Sequence, residues 1–178
     1  MILGFDISTR YIGWCILDDS GRFVDIGHLD LTKEEDFYAK VDSFCSLFSG
    51  DIMWGHKYYT VFVEEPVKMF KSNASMAQTI ALLQRFNAAC CYEIYKILGT
   101  KPTLIMEPSA RKKAGIKVPK GVKGKDKKKF VLEHIQSLGV VPENKWVLKR
   151  TGNPKDWCFD QADAFVVALA GVQMNVSE

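Results

Sequence analysis

The hydrophobic pattern of the first thirty residues predicts three consecutive strands. The apolar run from Met1 to Phe5 is typical of a strand buried on both faces, and a second apolar run extends from Tyr11 to Leu17. Turn-forming residues at 18–21 separate it from a third candidate strand at 22–29. The first strand ends at a carboxylate, Asp6, which costs free energy to bury unless it is paired or bound to a metal.

The rest of the chain alternates between helical and strand periodicity. Apolar residues at helical spacing predict an amphipathic helix that begins with a capping box formed by Thr32 and Glu35. A long, largely apolar helical segment follows the fourth strand, and Gly99 ends it. The predicted elements are a helix at 33–49, a strand from Tyr58 to Val63, a helix from Ser72 to Leu98, a strand from Pro102 to Met106, a short basic helix capped by Ser109, a helix from Asp126 to Leu138, and a last helix that begins at Asn153-Pro154 and runs to Ala170.

The composition is that of an ordinary soluble globular protein, with 47% hydrophobic and 25% charged residues among 178. This length predicts a single domain that covers residues 1–178. No apolar run is long enough for a membrane span, and the N-terminus lacks the pattern of a secretory signal, so we expect a cytoplasmic protein. Five cysteines without a C-x-x-C pair predict reduced thiols, which agrees with that compartment.

Positive charge is concentrated in one segment of the chain. Between Arg111 and Lys129 there are ten lysines and arginines and a single acid, so this segment carries +9 while the whole protein carries only +3. A basic segment on an acidic body is typical of a protein that binds a polyanion such as nucleic acid. The stretch from Lys117 to Lys125 contains a proline and two glycines, which predicts a flexible loop. A solvated lysine-rich loop without a partner is the alternative.

Acidic residues stand at three widely separated points of the pattern. Asp6 ends the first strand, and Glu64 and Glu65 end the fourth, where alternation allows only one of the two to face a neighbouring strand's acid. Asp160 and Asp163 share one face of the last helix, where like charges repel each other unless a cation lies between them. The alternatives are a turn-capping role for the first acid and simple solvation of the helix pair near a helix start.

The three acidic sites together have the chemistry of a metal centre. Carboxylates are hard oxygen ligands, which Mg²⁺ and Mn²⁺ prefer. Two such ions about 4 Å apart can activate a water and stabilise the leaving oxygen in phosphodiester cleavage. The acids and the basic segment therefore predict a metal-dependent nuclease with two ions at its active site.

Four motifs, in order, resemble those of the RuvC-type Holliday junction resolvases of the ribonuclease H-like superfamily. They are Leu-Gly-x-Asp at residues 3–6 with Arg10, Gly13 and Trp14 after it, Val63-Glu64 before a long helix, the lysine-bearing region formed by 108–112 and Lys128, and Asp-x-x-Asp-Ala at 160–164. Their order and spacing agree with the family over essentially the full chain.

This resemblance implies an α/β fold with a mixed five-stranded sheet of order 3-2-1-4-5, helices on both faces, and the first acid beside the second. It assigns catalysis and metal binding to four acids, Asp6, Glu64, Asp160 and Asp163. It further implies a homodimer that cuts four-way DNA junctions by paired nicks, with the helix from Ser72 as the candidate interface. The DNA contacts predicted from the resemblance and from the basic segment are Arg10, Phe70, Lys112, Lys120, Lys123, Lys125 and Lys128.

The chain departs from the bacterial members of this family at several points. Ile-Ser-Thr follows Asp6 where many of them have Pro-Gly, Glu65-Pro66 follows Glu64, and Phe70 lies further along than the family's aromatic wedge. These differences suggest a phage or viral branch, which would act in the host cytoplasm and on other branched DNA as well.

Two other functions are compatible with parts of the pattern. A non-catalytic junction-binding or RNA-binding module on the same fold is the main alternative, but such a module has no need of four carboxylates near phosphates. A fragment of an actin-like sugar or acetate kinase would need a second, glycine-rich phosphate-binding strand pair, which is not visible in the sequence.

Overall fold

Five strands form one mixed sheet in the computed structural model, which describes residues 1–50, 59–66 and 74–175. They are β1 (Ile2–Ile7), β2 (Tyr11–Leu17), β3 (Phe23–Asp30), β4 (Thr60–Glu64) and β5 (Thr103–Ile105). The sheet order is β3-β2-β1-β4-β5, with antiparallel pairing from β1 to β3 and parallel pairing of β4 with β1 and β5. The predicted fold class and strand order are confirmed. Phe70 and Ser72 lie outside the described residues.

The helices lie on both faces of this sheet, as predicted. They are α1 (Phe37–Ser46), α2 (Ala74–Leu98), α3 (Glu107–Lys113), α4 (Gly124–Ser137) and α5 (Trp157–Asn175), with a short 3-10 helix at Glu143–Lys145. Because side chains alternate along a strand, Ile2 of β1 belongs to a core shared with α3, α4 and α5. Leu3 and Phe5 belong to the opposite core, which is shared with α1 and α2.

Glycines allow α5 to lie directly on the sheet. A Cβ atom at Gly4 of β1 would come within 2.5 Å of the Ala164 carbonyl oxygen and the Ala168 amide nitrogen. A Cβ atom at Gly13 of β2 would come within 2.0 Å of the Asp160 carbonyl oxygen. Any larger residue at either position would therefore push α5 away from the strands.

Two predicted helix starts are wrong because local hydrogen bonds replace them. The Thr32 hydroxyl donates to Asp30 at 2.6 Å, and Asp36 instead caps α1 by accepting from the Ala39 amide at 2.8 Å. The last helix does not begin at Asn153-Pro154 but at Trp157. Pro154 forms a β-bridge with Leu148, so this stretch is held in a turn before α5.

The basic region also differs from its prediction. The short basic helix begins at Glu107, with Pro108 in its first turn, so Ser109 lies inside α3 and does not cap it. Lys123 takes the N-cap position of α4, which starts at Gly124. Lys125 therefore lies on a helix, and the flexible loop predicted to reach it ends two residues earlier.

The described part of the chain contains no helix that is long and apolar enough to cross a membrane. All five cysteines are free thiols, as predicted; they are Cys15, Cys45, Cys90, Cys91 and Cys158.

Candidate active site

The register of the sheet brings three of the predicted acids to one place. Asp6 pairs with Gly13 across β1 and β2, and the backbone of Asp160 lies against that same glycine. β4 runs parallel to β1 with Val63 opposite Phe5, so Glu64 follows Asp6 at the same edge of the sheet. One turn along α5, Asp163 lies on the same helix face as Asp160. All four acids line a single cleft of about 560 Å³.

Glu64, not Glu65, faces this cleft. Glu64 is the last residue of β4 and its pKa responds to the negative charge of Asp163. The Glu65 amide donates to the Ile105 carbonyl at 2.9 Å, which continues the pairing with β5, and Glu65 is not among the cleft residues. The alternative that the sequence left open is therefore resolved in favour of Glu64 as the residue beside the other acids.

Burial raises the pKa of every acid in the group that we call the acid cluster (Asp6, Glu64, Asp160 and Asp163), and the charges of neighbouring acids add to it for Asp6, Glu64 and Asp163. Burial is the larger cause for Asp6, whose pKa is well above its ordinary value, and the charge of Glu64 adds to it. Burial and the charge of Asp163 raise the pKa of Glu64 to about 8. Asp160 and Asp163, which are only 8% and 7% exposed, also have raised pKa values. The cluster therefore holds protons or requires a cation near neutral pH.

The Lys128 side chain supplies one positive charge to this cluster. Its ammonium group lies 3.2 Å from a carboxylate oxygen of Asp160 and 3.2 Å from one of Asp163. Burial alone would lower the pKa of Lys128, but the carboxylates of Asp6, Asp163 and Asp160 outweigh it and raise that pKa. Lys128, predicted as a DNA contact, thus acts in this structure as the countercharge of the acids.

A fifth carboxylate, Glu107, was missed as a site residue in the sequence. It lines the same cleft, and its charge contributes to the raised pKa values of Glu64 and Asp163. Burial would raise its own pKa, but hydrogen bonds from Lys127 and Arg111 lower it. A signal for this residue was available in the sequence. Glu107 directly follows β5, and because β5 runs parallel to β4, the two strands end at the same edge of the sheet.

The donor chemistry of the cluster fits a hard divalent cation. The four carboxylates have raised pKa values and only one lysine ammonium among them, and carboxylate oxygens are the ligands of Mg²⁺ and Mn²⁺. Within residues 1–50, 59–66 and 74–175, however, no three acid, histidine or cysteine side chains are grouped as a ready metal site. In this arrangement Asp160 and Asp163 share the Lys128 ammonium as their cation.

The predicted DNA contacts do not all lie at the cluster. Lys125 and Lys128 line the acid cleft, and Arg10 lines an adjoining cavity. Lys112 is exposed and lines a separate cleft with Arg111 and Lys117. Lys120 and Lys123 are exposed and precede α4. Phe70 falls outside the described residues.

No protein-family model matches the sequence, and no curated protein matches it. The fold is similar to that of T. thermophilus RuvC solved in complex with Holliday junction substrate, with a TM-score of 0.65 and 13% identity over 99% of this chain and 95% of that one. It is also similar to the Fowlpox virus resolvase solved with Holliday junction DNA (TM-score 0.51, 17% identity, 98% of each chain). A third similar structure is the yeast mitochondrial Holliday junction resolvase (TM-score 0.53, 16% identity, 98% of this chain and 78% of that one). The predicted resemblance to RuvC-type resolvases is confirmed for the fold.

Proposed function

We propose that this protein is a metal-dependent, structure-selective DNA endonuclease that resolves four-way junctions by paired nicks. The observation that carries the proposal is the convergence of Asp6, Glu64, Asp160 and Asp163 in one cleft on a fold similar to that of Holliday junction resolvases. Buried acids that repel one another destabilise a protein, so a binding module would gain nothing from keeping four of them together.

In this proposal the acid cluster holds Mg²⁺ or Mn²⁺ ions, two of them when the site is fully loaded. The ions would supply a nucleophilic water and charge stabilisation at the scissile phosphate. The protein contributes the placement of the carboxylates, which the close contact of α5 with the sheet fixes. Lys128 pairs with Asp160 and Asp163 in this structure, and its ammonium would be available to a phosphate oxygen if metal ions were held by these carboxylates.

The basic residues around the cleft bind the DNA backbone in this proposal. Lys125 and Lys127 line the acid cleft, and Arg10 extends the positive rim along the adjoining cavity. Symmetric cutting of two strands needs two active sites, so the active form is a homodimer, acting in the cytoplasm. Sedimentation of the purified protein with and without a junction tests the dimer separately from the chemistry.

Cleavage assays on matched substrates test the function directly. The protein is incubated with end-labelled four-way junction, replication fork and linear duplex in Mg²⁺, Mn²⁺, Ca²⁺ or EDTA, and the nicks are mapped. We expect symmetric nicks in the junction with Mg²⁺ or Mn²⁺, and binding with little turnover in Ca²⁺, because its looser coordination positions the water poorly. Full activity in EDTA would exclude the metal mechanism. Tight junction binding with no cleavage in any metal would favour the non-catalytic module instead.

A further inference from the structure

A second cavity adjoins the acid cleft at the start of α5. Its volume is about 480 Å³, and it shares Ser8, Lys125, Lys128 and Asp160 with the acid cleft. The rest of its wall is formed by Arg10, Tyr11, Asp156 and Phe159, and we call this cavity the side pocket. A volume in the range of about 300–1,000 Å³ is typical of sites for small organic groups, so the side pocket can hold one nucleotide.

The aromatic wall of the side pocket is held rigidly from behind. The Tyr11 ring meets the edge of Trp157 with ring centroids 5.9 Å apart and an angle of 64°. Trp157 in turn stacks on His28, with centroids 4.4 Å apart and planes inclined by only 8°, and the Lys155 ammonium lies 5.2 Å from its ring centre. The Arg10 guanidinium lies 5.7 Å from the centre of the Tyr11 ring. Tyr11 therefore offers the side pocket an aromatic ring that is packed against Trp157 and has a cation over it.

The polar wall of the side pocket includes an exposed carboxylate, Asp156, which is paired with a lysine. The Asp156 carboxylate accepts a hydrogen bond from the Lys149 ammonium at 2.7 Å, and this bond lowers the pKa of Asp156. The nearby charges of Arg10 and Lys125 lower that pKa further. Asp156 is therefore ionised near neutral pH and can accept hydrogen bonds from a ligand but cannot donate one.

We propose that the side pocket binds one unstacked nucleotide next to the phosphate at the acid cluster, and that Asp156 makes it prefer cytosine to thymine. This inference rests on the proposed function, because it takes the acid cluster as the place where the scissile phosphate lies. Aromatic side chains flanked by cations are the usual platform for single bases of an opened strand. Tyr11 and Phe159 provide this platform, while Arg10 and Lys125 face the phosphate of the same nucleotide.

Cytosine and thymine differ at the exocyclic group that a carboxylate can contact. Cytosine presents an exocyclic amino group, which a carboxylate accepts from, whereas thymine presents a carbonyl oxygen at the same position. Asp156 therefore attracts the first and repels the second. Both bases have similar rings, so stacking on Tyr11 contributes equally to the binding of each. The difference between cytosine and thymine therefore reports the effect of the Asp156 carboxylate alone.

Single-turnover cleavage of paired junctions tests the preference. The junctions are identical except for cytosine or thymine at one position beside the mapped nick. We expect one flanking position at which the cytosine junction is cut about tenfold faster, and a ratio near one for Asp156→Asn, because an amide can donate to the thymine carbonyl. Asp42→Asn, an exposed acid of α1, is the matched control and should keep the preference. Equal rates at every flanking position, or an unchanged ratio in Asp156→Asn, would overturn the proposal.

A binding measurement separates this proposal from the proposed function. Fluorescence anisotropy of short cytosine and thymine oligonucleotides in EDTA requires no cleavage. We expect tighter cytosine binding by the intact protein, loss of the difference in Asp156→Asn, and affinity about tenfold lower for both oligonucleotides in Tyr11→Leu but not in Tyr11→Phe. Tyr38→Leu, an exposed tyrosine of α1, is the control. Absent cleavage with these binding differences would refute only the nuclease, whereas equal binding of both oligonucleotides would refute the side pocket.

Discussion

The two faces of the sheet bring their helices into contact in different ways. On the face covered by α5, Gly4 and Gly13 leave room for helix backbone to contact strand backbone. On the face covered by α1 and α2, Phe5 packs against Phe44 and Phe48 with ring centroids 5.7 and 6.2 Å apart. Small residues fix a distance between backbones, while aromatic rings fill volume and contribute burial free energy.

Buried polar groups follow the same division. Of the four buried polar residues in the described part of the chain, three (Asp160, Gln161 and Asp163) are on α5, and the fourth, Asn87, is on α2. The face with the closest packing thus also contains the carboxylates that repel one another. The comparison suggests that the α1–α2 face stabilises the fold and that the α5 face uses part of that stability to hold the acids together.

The largest contrast between the faces is expected in cleavage. Replacing Asp6, Glu64, Asp160 or Asp163 by its amide should lower the cleavage rate about a thousandfold or more, because charge stabilisation by metal ions is a large catalytic term. The metal-free variants should be at least as stable as the parent protein, since a repulsive charge is removed, and junction binding should persist. Single-turnover rates and thermal melting measure both effects.

The matched change on the other face is Phe44→Leu, which should reverse both outcomes. Loss of part of a fully buried ring costs about 1–2 kcal/mol of stability, while cleavage by the folded protein should stay near normal. Among the amide variants of the acid cluster, near-normal cleavage by Glu64→Gln would instead identify Glu65 as the metal ligand. Loss of junction binding together with cleavage in any of these variants would indicate misfolding.

The second contrast concerns the glycines of the α5 face. Gly13→Ala should displace α5 at Asp160, because the new Cβ atom would lie 2.0 Å from that residue's carbonyl oxygen. We expect cleavage to fall about a hundredfold and stability to fall by about 1–3 kcal/mol, the usual cost of overpacking. Gly50→Ala is the control, since its nearest contact would be an ordinary 3.8 Å to Ser46. Unchanged cleavage in Gly13→Ala would show that the acids tolerate a shift of α5.

The third contrast is the pH dependence of stability in metal-free protein. The pKa of Glu64 is about 8 in the fold against 4.5 for a free side chain, so the unfolded chain releases this proton at lower pH than the folded chain does. Stability should therefore fall as pH rises from about 4.5 to 8, by on the order of 5 kcal/mol at most for this group. The raised pKa values of the other three acids act in the same direction.

Chemical denaturation at pH 5, 6, 7 and 8 in EDTA measures this slope. Glu64→Gln should flatten the curve, while Phe44→Leu on the other face should lower it by a constant amount without changing its shape. Adding Mg²⁺ should restore stability most at pH 8. The cation competes with protons for the carboxylates of the acid cluster, and the cluster holds fewest protons at that pH. A curve that rises from pH 5 to 8 in EDTA would contradict the raised pKa values.

The smallest expected effect concerns exposed charge around the cleft. Replacing Lys120, Lys123 and Lys125 by alanine should weaken junction and duplex binding alike and flatten the slope of log affinity against log salt by up to about 2–3, since each phosphate contact contributes about 0.9. Lys96→Ala on α2 is the control from the other face and should leave the slope unchanged. An unchanged slope in the triple variant would leave this segment without a role in DNA binding.

The hydrophobic pattern was enough to predict the strands, because period-two and helical spacing are local properties of the chain. The sheet order was predicted only from the resemblance to RuvC-type resolvases. The four acids could be recognised as well, since each stands at the end of an apolar run or on the face of an apolar helix. The pattern was weaker at helix starts. Asp36 caps α1, and α5 begins at Trp157, because local contacts among neighbouring residues replace the caps expected from the sequence.

What only the tertiary structure decided is which groups meet across the sheet. Gly13 belongs to a motif of the sequence, but only the packing of α5 shows that it sets the position of Asp160. Lys128 was predicted only as a DNA contact, and the fold places its ammonium between two carboxylates. Glu107 reaches the same cleft through the parallel pairing of β5 with β4. The physical reason is that burial and charge coupling depend on distances in space, which sequence spacing does not specify.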